Sequence, residues 1–473
     1  MNRPVSSPSL LNRAYMSVVD PLVNGKSQYQ LPARLKKLQR LERMSVDELR
    51  ARQLQATQKL LQHAYDSTPF YRTRLDEAGI VPADISCLED LQKIPALTRE
   101  DIRNNLDGLW SRRYPRESLQ QSATGGTTGA PVVLLRSNEC LAQRFAVQLH
   151  LDGWAQLWPG DKIFRLWGAQ QDFNPNPSWR WRMYDRYVRR NVWAPTSLFS
   201  AEILEKHREL MNDFRPKIVY AYPTPLALFC EYLRSCGKTY HRPTSAICTA
   251  EPLQDHQREI IEQTLACPVF EQYGSRDFGI IGAQCEARES MHLHPAAAYV
   301  EFLPISGAER EGLHEILVTD LTNDAMPLIR YQIGDCAFVS SSPCSCGRSF
   351  PAVTKIAGRI TDNFYMANGN VIPGVIVGVH LTHLLRVRPG IAKVQLVQDT
   401  TTEFRVRYVP GITFDASDID FLRSKLRAFF TDQVTWKFER VEEIERERSG
   451  KTRFCISHVG RENVKSEGVL YGA

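Results

Sequence analysis

The sequence predicts an α/β protein, a large multi-layered α/β body followed by a small α+β domain. Three observations carry that expectation. Between residues 162 and 272, short apolar strand-like runs alternate with helical patterns. After Glu301, strand-like runs dominate. From about Gly358 a β-β-α-β pattern begins, and its length of ~110 residues is a usual domain size.

Residues 1–45 read as an irregular, basic lead-in. A helix is expected over 46–64, where Leu49, Leu54, Leu60, Leu61 and Ala64 recur near helical spacing. Residues 162–168 read as a strand, 202–214 as a helix and 217–222 as a strand. The helix expected over 226–236 is stopped by Gly237. Strand, helix and strand follow at 245–250, 255–265 and 268–272. Strands separated by helices imply a largely parallel sheet. Further strands are expected at 315–320, 327–331 and 336–340. In the last part, strands at 393–397 and 404–408 flank a Thr-rich turn. A helix over 417–429 has Asp415 or Ser417 available as N-cap, and a strand at 434–441 follows. The expected domains are 1–358 and 363–473, joined at 359–362.

The bulk numbers narrow the class. The chain has 473 residues, 43% of them hydrophobic and 24% charged, ample for a large core. A net charge of +6 is mild at this length and gives no reason to expect a nucleic-acid partner, while it suits an anionic cofactor. The 11 cysteines show no framework spacing, so a disulfide scaffold is not expected. Met1-Asn2-Arg3-Pro4 leads into no apolar signal core. No apolar run reaches the roughly eighteen residues that a membrane span requires. The expected place is the cytoplasm.

Several segments carry chemistry. Thr124-Gly125-Gly126-Thr127-Thr128-Gly129-Ala130-Pro131 precedes the apolar run Val132-Val133-Leu134-Leu135. Its glycines allow close backbone approach, and its hydroxyls and N–H groups make an anion cradle suited to a phosphate chain. A polar surface turn has the same composition. It is not a Walker A loop, since no Lys-Ser/Thr pair ends it and no helix is expected after it. In Glu271-Gln272-Tyr273-Gly274-Ser275-Arg276-Asp277, at a strand end, the Tyr can stack on a base and Asp277 can hold Mg²⁺ beside phosphates. The alternative is a turn over a buried Tyr. In Leu328-Ile329-Arg330-Tyr331-Gln332-Ile333-Gly334-Asp335 the carboxylate after Gly suits a ribose, or caps its own turn. Gly358-Arg359-Ile360-Thr361-Asp362 lies where the two expected domains meet. In Ser449-Gly450-Lys451-Thr452-Arg453, Lys451 sits on a mobile turn that either reaches into a cleft or is simply solvated. Cys285, Cys344 and Cys346 with His292 or His294 supply four nitrogen and sulfur ligands, enough for tetrahedral Zn²⁺. The stretch from Trp179 to Arg190 mixes aromatics and arginines. Nucleic acid, a membrane surface and a protein partner all fit it, but an amphipathic helix covering the acyl-pocket side is the favoured reading.

Taken in order, these segments resemble the adenylate-forming superfamily of acyl-CoA ligases. The order is Gly/Thr loop, Tyr-Gly-x-x-acid, Arg-Tyr-x-x-Gly-Asp, Gly-Arg hinge and Ser-Gly-Lys-x-Arg. Leu60-Leu61-Gln62-His63-Ala64 with Pro69-Phe70-Tyr71-Arg72, Asp90-Leu91-Gln92-Lys93-Ile94-Pro95 and the run from Thr322 to Tyr331 are similar to the phenylacetate–CoA ligase-like branch. That branch includes proteins named after capsular polysaccharide biosynthesis (CapK-like). The resemblance implies ATP-dependent activation of a small carboxylic acid to an acyl-adenylate, then acyl transfer to a thiol, coenzyme A first among acceptors. It implies that Thr124, Gly125, Gly126, Thr127, Thr128 and Gly129 hold the β- and γ-phosphates. Ala250-Glu251-Pro252, Tyr273 and Gly274 would flank the adenine, and Asp335 and Arg359 would bind the ribose. Asp277 takes the magnesium position, and Lys451 bridges carboxylate and α-phosphate. Trp167, Gly168, Ala169, Tyr220 and Tyr222 are candidates for an acyl pocket that admits an aryl or medium-length acid. The resemblance also implies a small domain that rotates about 359–362 between half-reactions. Some members of the branch carry a structural zinc, and there His292 is the favoured ligand over His294.

The chain departs from the pattern at Asp277, where Glu is common, at Ala130, where Lys is usual, and at Thr361, where an acid is usual and Asp362 follows instead. Two other readings remain: a ligase that passes the acyl group to an amine, a hydroxyl or a carrier protein, and an inactive binding protein on the same fold.

Overall fold

The structure, a computed structural model, describes residues 8–19, 30–123, 132–167, 178–196, 200–305, 312–340 and 342–359. Beyond them it describes 364–367, 371–372, 374, 377–378, 381, 384–385, 388, 390–411, 414–427, 430, 434–444 and 454–459. The chain divides into two units. One comprises Met1–Glu301, Ile316–Ile333 and Val339–Ile356, and the other Phe302–Glu315, Gly334–Phe338 and Ala357–Ala473.

In the first unit, β1 (Gln120–Ala123) and β2 (Val133–Arg136) pair antiparallel on either side of the Gly/Thr segment. Then come β3 (Ile163–Trp167), β4 (Asn191–Pro195), β5 (Ile218–Ala221), β6 (Ser245–Cys248), β7 (Val269–Ser275), β8 (Gly279–Gln284) and β9 (Met291–Leu293). They are followed by β10 (Ala298–Pro304), β11 (Leu313–Asp320), β12 (Tyr331–Val339) and β13 (Ala352–Arg359), each of which has some of its residues in the second unit. The eleven strands from β3 onward form one sheet, in the order β10-β11-β12-β13-β9-β8-β7-β6-β5-β3-β4. Strands β4, β3, β5, β6 and β7 run parallel, whereas β8 and β9 fold back antiparallel. The expected parallel sheet is therefore one half of a mixed sheet.

The parallel half follows from its sequence. Every residue of β5 (IVYA) and β6 (SAIC) is buried, as in strands covered on both faces, so no alternation is visible. The helices α1 (Ala201–Phe214), α2 (Pro223–Ser235) and α3 (Asp255–Leu265) supply the connections. Their apolar faces meet the sheet through Met211, Phe214, Phe229, Leu233 and Ile261. Ser200 caps α1 by accepting from Ile203 N–H at 3.3 Å. Upstream, the Val46–Ser67 helix starts at a capping box between Ser45 and Glu48.

Two expectations need correction. The lead-in is not irregular: helices form at Leu10–Ala14 and Leu31–Leu41, and the second buries Leu31, Leu35, Leu38 and Leu41. Residues 327–330 are not a strand. Arg330 sits at φ +52°, and the strand begins at Tyr331 and continues to Val339, merging two expected strands. The stretch from Trp179 to Val188 is helical as expected, ending in one wide π-type turn, and none of its residues is fully buried.

In the second unit, β14 (Phe364–Tyr365) pairs with β15 (Val371–Ile372). A second sheet comprises β16 (Ile391–Gln398), β17 (Glu403–Pro410), β18 (Thr435–Arg440) and β19 (Cys455–Ser457), in the order β18-β17-β16-β19. Only the β16–β17 pair is antiparallel. The α4 helix (Ala416–Leu426) is capped by Asp415, and its Leu422 and Leu426 join Val394, Leu396, Phe404 and Val406 in the core. The expected β-β-α-β pattern is present, with β19 added as a parallel edge strand.

Candidate active site and metal centre

Strands β3, β5 and β6 end at Trp167, Ala221 and Cys248, and ligands of open α/β sheets bind beyond such carboxyl ends. Trp167 stands 4.6 Å from the Tyr222 ring and 5.9 Å from the Tyr220 ring, centroid to centroid, so three of the acyl-pocket candidates form one aromatic group. Gly168 and Ala169 lie outside the described residues.

A buried polar chain holds this group. Tyr220 Oη donates to Gln272 Oε1 at 2.8 Å, and Gln272 Nε2 donates to Asp152 Oδ1 at 2.8 Å. The Arg165 guanidinium covers the Tyr220 ring at 4.7 Å. Burial pushes the Asp152 carboxyl up to about 7, against the Gln272 hydrogen bond and the Arg165 charge. A carboxyl raised in the folded state contributes stability below its unfolded value, near 3.8, and loses it as pH climbs to about 7. Asp152→Asn keeps an acceptor for Gln272 and cannot ionise. The variant is expected to be more stable than wild type above neutral pH, by up to about 4 kcal/mol. It should also show a flatter fall of melting temperature between mildly acidic and neutral pH. Identical pH profiles for the two proteins would remove Asp152 as the titrating group.

Ala250 opens the Ala250-Glu251-Pro252 turn in the left-handed region, at φ +70°. Such a backbone needs fixed surroundings. Thr249 Oγ1 donates to the Gln272 carbonyl at 3.2 Å, and Leu253 N–H donates to Glu271 Oε1 at 3.2 Å. Burial pushes Glu271 up to about 7.

Strand β7 carries Tyr273-Gly274-Ser275 and turns through Arg276-Asp277-Phe278 into β8. A Cβ on Gly274 would lie 2.3 Å from the Gly279 carbonyl oxygen, so the close strand approach requires glycine there. Tyr273 is buried, 6.4 Å from the Phe278 ring. Asp277 is also buried and accepts from Tyr331 Oη at 3.0 Å. Arg144, from the Asn138–Trp154 helix, donates to the Asp277 carbonyl at 2.9 Å and forms a buried ion pair with Asp320. The sequence reading missed Arg144, Asp320 and the partnership of Tyr331. A single arginine inside an apolar helix was the available signal.

In the second unit, Asp335 is buried within β12, directly after Gly334 at φ +82°. It is therefore a strand residue and not part of a turn beyond a strand. Arg359 is the last residue of β13. The phosphate-loop candidates Thr124 to Gly129, the junction residues 360–362 and Lys451 lie outside the described residues.

The four proposed zinc ligands come together. The donor atoms of Cys285, His292, Cys344 and Cys346 all lie within 4.8 Å of one another. Cys285 Sγ and Cys344 Sγ are 3.6 Å apart, and Cys346 Sγ is 3.3 Å from His292 Nε2. His292 Nδ1 faces the Phe350 carbonyl oxygen at 3.4 Å, which turns Nε2 toward the sulfurs. Cys285 and His292 hydrogen-bond the Cys346 sulfur and push its pKa down. His294 is elsewhere: its Nε2 is 3.0 Å from His150 Nδ1, and burial holds its pKa well below the usual histidine value.

Residues 370–458 match the family described as the CapK C-terminal domain. The chain is 27% identical over 348 residues to a phenylacetate-coenzyme A ligase of Pseudomonas putida, covering 70% of this chain and 75% of that one. It is 24% identical over 376 residues to protein CapK of Staphylococcus aureus, covering 78% and 81%. Its fold matches a crystal structure of 2-hydroxyisobutyryl-CoA ligase in complex with R3-HIB-AMP, with a TM-score of 0.66 and 18% identity over 90% of this chain and 93% of that one. The chain is similar over most of its length to ligases of the adenylate-forming superfamily and shares the fold of one of them. The order of motifs had pointed to that superfamily and to the branch that these relatives represent. The Cys/His cluster uses none of the residues expected to bind nucleotide. No helix among the described residues is long and apolar enough to cross a membrane.

Proposed function

We propose that the chain is an AMP-forming acid–thiol ligase. The observation that carries the proposal is the similarity to phenylacetate–CoA ligases over 70–72% of this chain and 75–77% of theirs. In the first half-reaction a carboxylate oxygen bonds to the α-phosphorus of ATP, and the α–β phosphoanhydride bond breaks to release pyrophosphate. In the second, the thiolate of coenzyme A attacks the acyl carbon, and the acyl–oxygen bond breaks to release AMP.

The roles follow the expected positions. Thr124 to Gly129 hold the β- and γ-phosphates. Ala250, Glu251, Pro252, Tyr273 and Gly274 flank the adenine, and Asp335 and Arg359 take the ribose. Lys451 stabilises charge at the α-phosphate. Asp277 is the residue that would hold Mg²⁺, which supplies charge neutralisation to the phosphates. Trp167, Tyr220 and Tyr222 line the acid's pocket. The tethering of Tyr220 to Gln272 supports a preformed aromatic wall that suits an aryl or medium-length acid. The chain exchanges conformations about 359–362, with 1–358 and 363–473 as the two bodies.

Cys285, His292, Cys344 and Cys346 would hold a structural Zn²⁺. Tetrahedral Zn–S and Zn–N bonds set ligand atoms roughly 3.4–3.8 Å apart; the Cys285–Cys344 separation of 3.6 Å falls in that range and the Cys346–His292 separation of 3.3 Å just below it. Four protein ligands leave no open position, so the metal would hold chain segments together and take no part in the reaction. The cytoplasm, with its ATP and coenzyme A, is the place this reading assigns, and 11 free cysteines suit a reducing compartment.

The test is a carboxylic-acid panel scored by pyrophosphate release, followed by a comparison of acceptors. Aryl and medium-length acids are expected to release pyrophosphate, and coenzyme A is expected to speed AMP release. Faster AMP release with an amine, a hydroxyl compound or a carrier protein would replace the thiol step. Absence of pyrophosphate release with every acid would leave only a binding protein.

A further inference from the structure

Eleven large hydrophobic residues are exposed among the described residues, and seven of them (Leu10, Leu11, Val18, Trp179, Trp181, Met183 and Tyr187) lie on two helical segments. Singly exposed apolar residues are ordinary, but this clustering is not. The two segments, Leu10–Val19 and Trp179–Val188, are neighbours: Tyr15 Oη donates to the Val188 carbonyl at 2.8 Å. Trp179 is 70% exposed and Tyr187 64%.

The surroundings are basic. Leu11 and Arg190 line one basin of about 340 Å³ together with Lys162, Arg215, Lys217 and Arg242. The basin lies at the amino ends of the parallel strands: Lys162 precedes β3, Arg190 precedes β4 and Lys217 precedes β5. Its one carboxylate, Asp161, is already paired with Lys217 at 2.7 Å. On the adjoining helix, Asp185 pairs with Arg189. Nearby Asp213 pairs with Arg186. Arg180, Arg182, Arg190, Arg215 and Arg242 pair with no carboxylate among the described residues. Two of these, Arg190 and Arg215, occupy left-handed backbone at φ +57° and +49°, where glycine would cost less. Lys162 has a local task, donating to the Phe214 carbonyl at 3.0 Å. Arg180 lies over the Trp179 ring at 5.6 Å, whereas the side chains of Arg190, Arg215 and Arg242 have no such task among the described residues.

We infer that this face docks on the surface of an anionic lipid bilayer. Trp and Tyr rings beside exposed leucines suit the headgroup–acyl boundary, and unpaired arginines suit anionic headgroups. Leu10, Leu11 and Val18 favour lipid over nucleic acid, which offers no apolar surface to aliphatic side chains on its backbone. The docking is peripheral. It uses the amino edge of the parallel strands and leaves free the carboxyl edge, where the substrate is expected.

Co-sedimentation with vesicles tests it. The full chain is expected to bind phosphatidylglycerol–phosphatidylcholine vesicles and to be released by salt, and to ignore pure phosphatidylcholine. Arg215→Glu with Arg242→Glu should weaken binding about fivefold or more per cation removed. Trp179→Ser with Tyr187→Ser should weaken it at unchanged charge. Unshifted thermal melts show that both variants are folded. No binding to anionic vesicles, or binding that neither double variant weakens, overturns the inference. Salt-sensitive binding to duplex DNA or RNA without vesicle binding assigns the face to nucleic acid instead. Dimerisation lost in Trp179→Ser/Tyr187→Ser without vesicle binding assigns it to a second copy of the chain.

Discussion

Lys451→Ala is expected to reduce acid-dependent pyrophosphate release by a hundredfold or more, while leaving the melting temperature within a degree or two. A preorganised charge acting at the transition state accounts for about that factor, whereas a solvated surface lysine contributes little to folding. Both half-reactions pass through the same acyl-adenylate, but only the first develops charge on an α-phosphate that is losing pyrophosphate. The variant, supplied with preformed acyl-adenylate, should therefore transfer the acyl group to thiol at close to the wild-type rate. Loss of both steps together would mean that Lys451 supports the fold or the acceptor site. Loss of neither would leave it as a solvated residue of the Ser449–Arg453 turn.

His292→Ala is expected to release one zinc per chain and to lower the melting temperature on the order of 5–10 °C. The reason is geometric. His292 presents Nε2 to the sulfurs because the Phe350 carbonyl holds its other nitrogen, and the cysteines come from two separate parts of the chain, at 285 and at 344–346. Without a metal the two parts keep the Ser345 hydrogen bonds to Glu289 and the Arg348–Glu286 ion pair, but the thiols lose the bonds that would hold them to one centre. His294→Ala should keep its zinc, because that ring faces His150. Elemental analysis of protein purified without chelator decides. Absence of zinc from wild type would refute the site, and loss of zinc in His294→Ala but not in His292→Ala would move the ligand.

Much of the parallel half of the sheet was readable because β5 and β6 are short and, Ser245 apart, apolar, and the helices between strands carry apolar faces. Residues 255–265 were read at their observed bounds for that reason. The antiparallel half was harder. Strands β8 and β9 are short and fully or nearly buried, so they show no period of two. The early Leu31–Leu41 helix was hidden by its basic residues and by a start at Gln30, in left-handed backbone with no side-chain cap. Its leucines were spaced correctly throughout. The misreading at 327–330 has a tertiary cause. Arg330 is bent to φ +52° so that its guanidinium can pair with Glu301 and cap the Gln92 and Ile94 carbonyls, and none of these is local in sequence.

At the candidate site the chemistry-bearing motifs were legible and their supports were not. Tyr273, Gly274 and Asp277 form a recognisable string. The Tyr331 hydroxyl that bonds Asp277 and the Arg144–Asp320 pair behind it are separated by scores of residues. The cysteine spacing suggested a tetrahedral site but could not choose between His292 and His294. The hydrogen-bond partner Phe350 and the approach of His292 Nε2 to the Cys346 sulfur make that choice, while His294 faces His150.

Exchange of labelled pyrophosphate into ATP, measured with and without carboxylic acid, tests adenylation most directly. The reverse of the first half-reaction requires only bound acyl-adenylate and pyrophosphate, so no acceptor need be known. Label should enter ATP only when a suitable acid and Mg²⁺ are present, and Lys451→Ala should abolish it. Exchange absent with every acid in a broad panel, or present without acid, would contradict the assignment of this chain as an acid-activating enzyme.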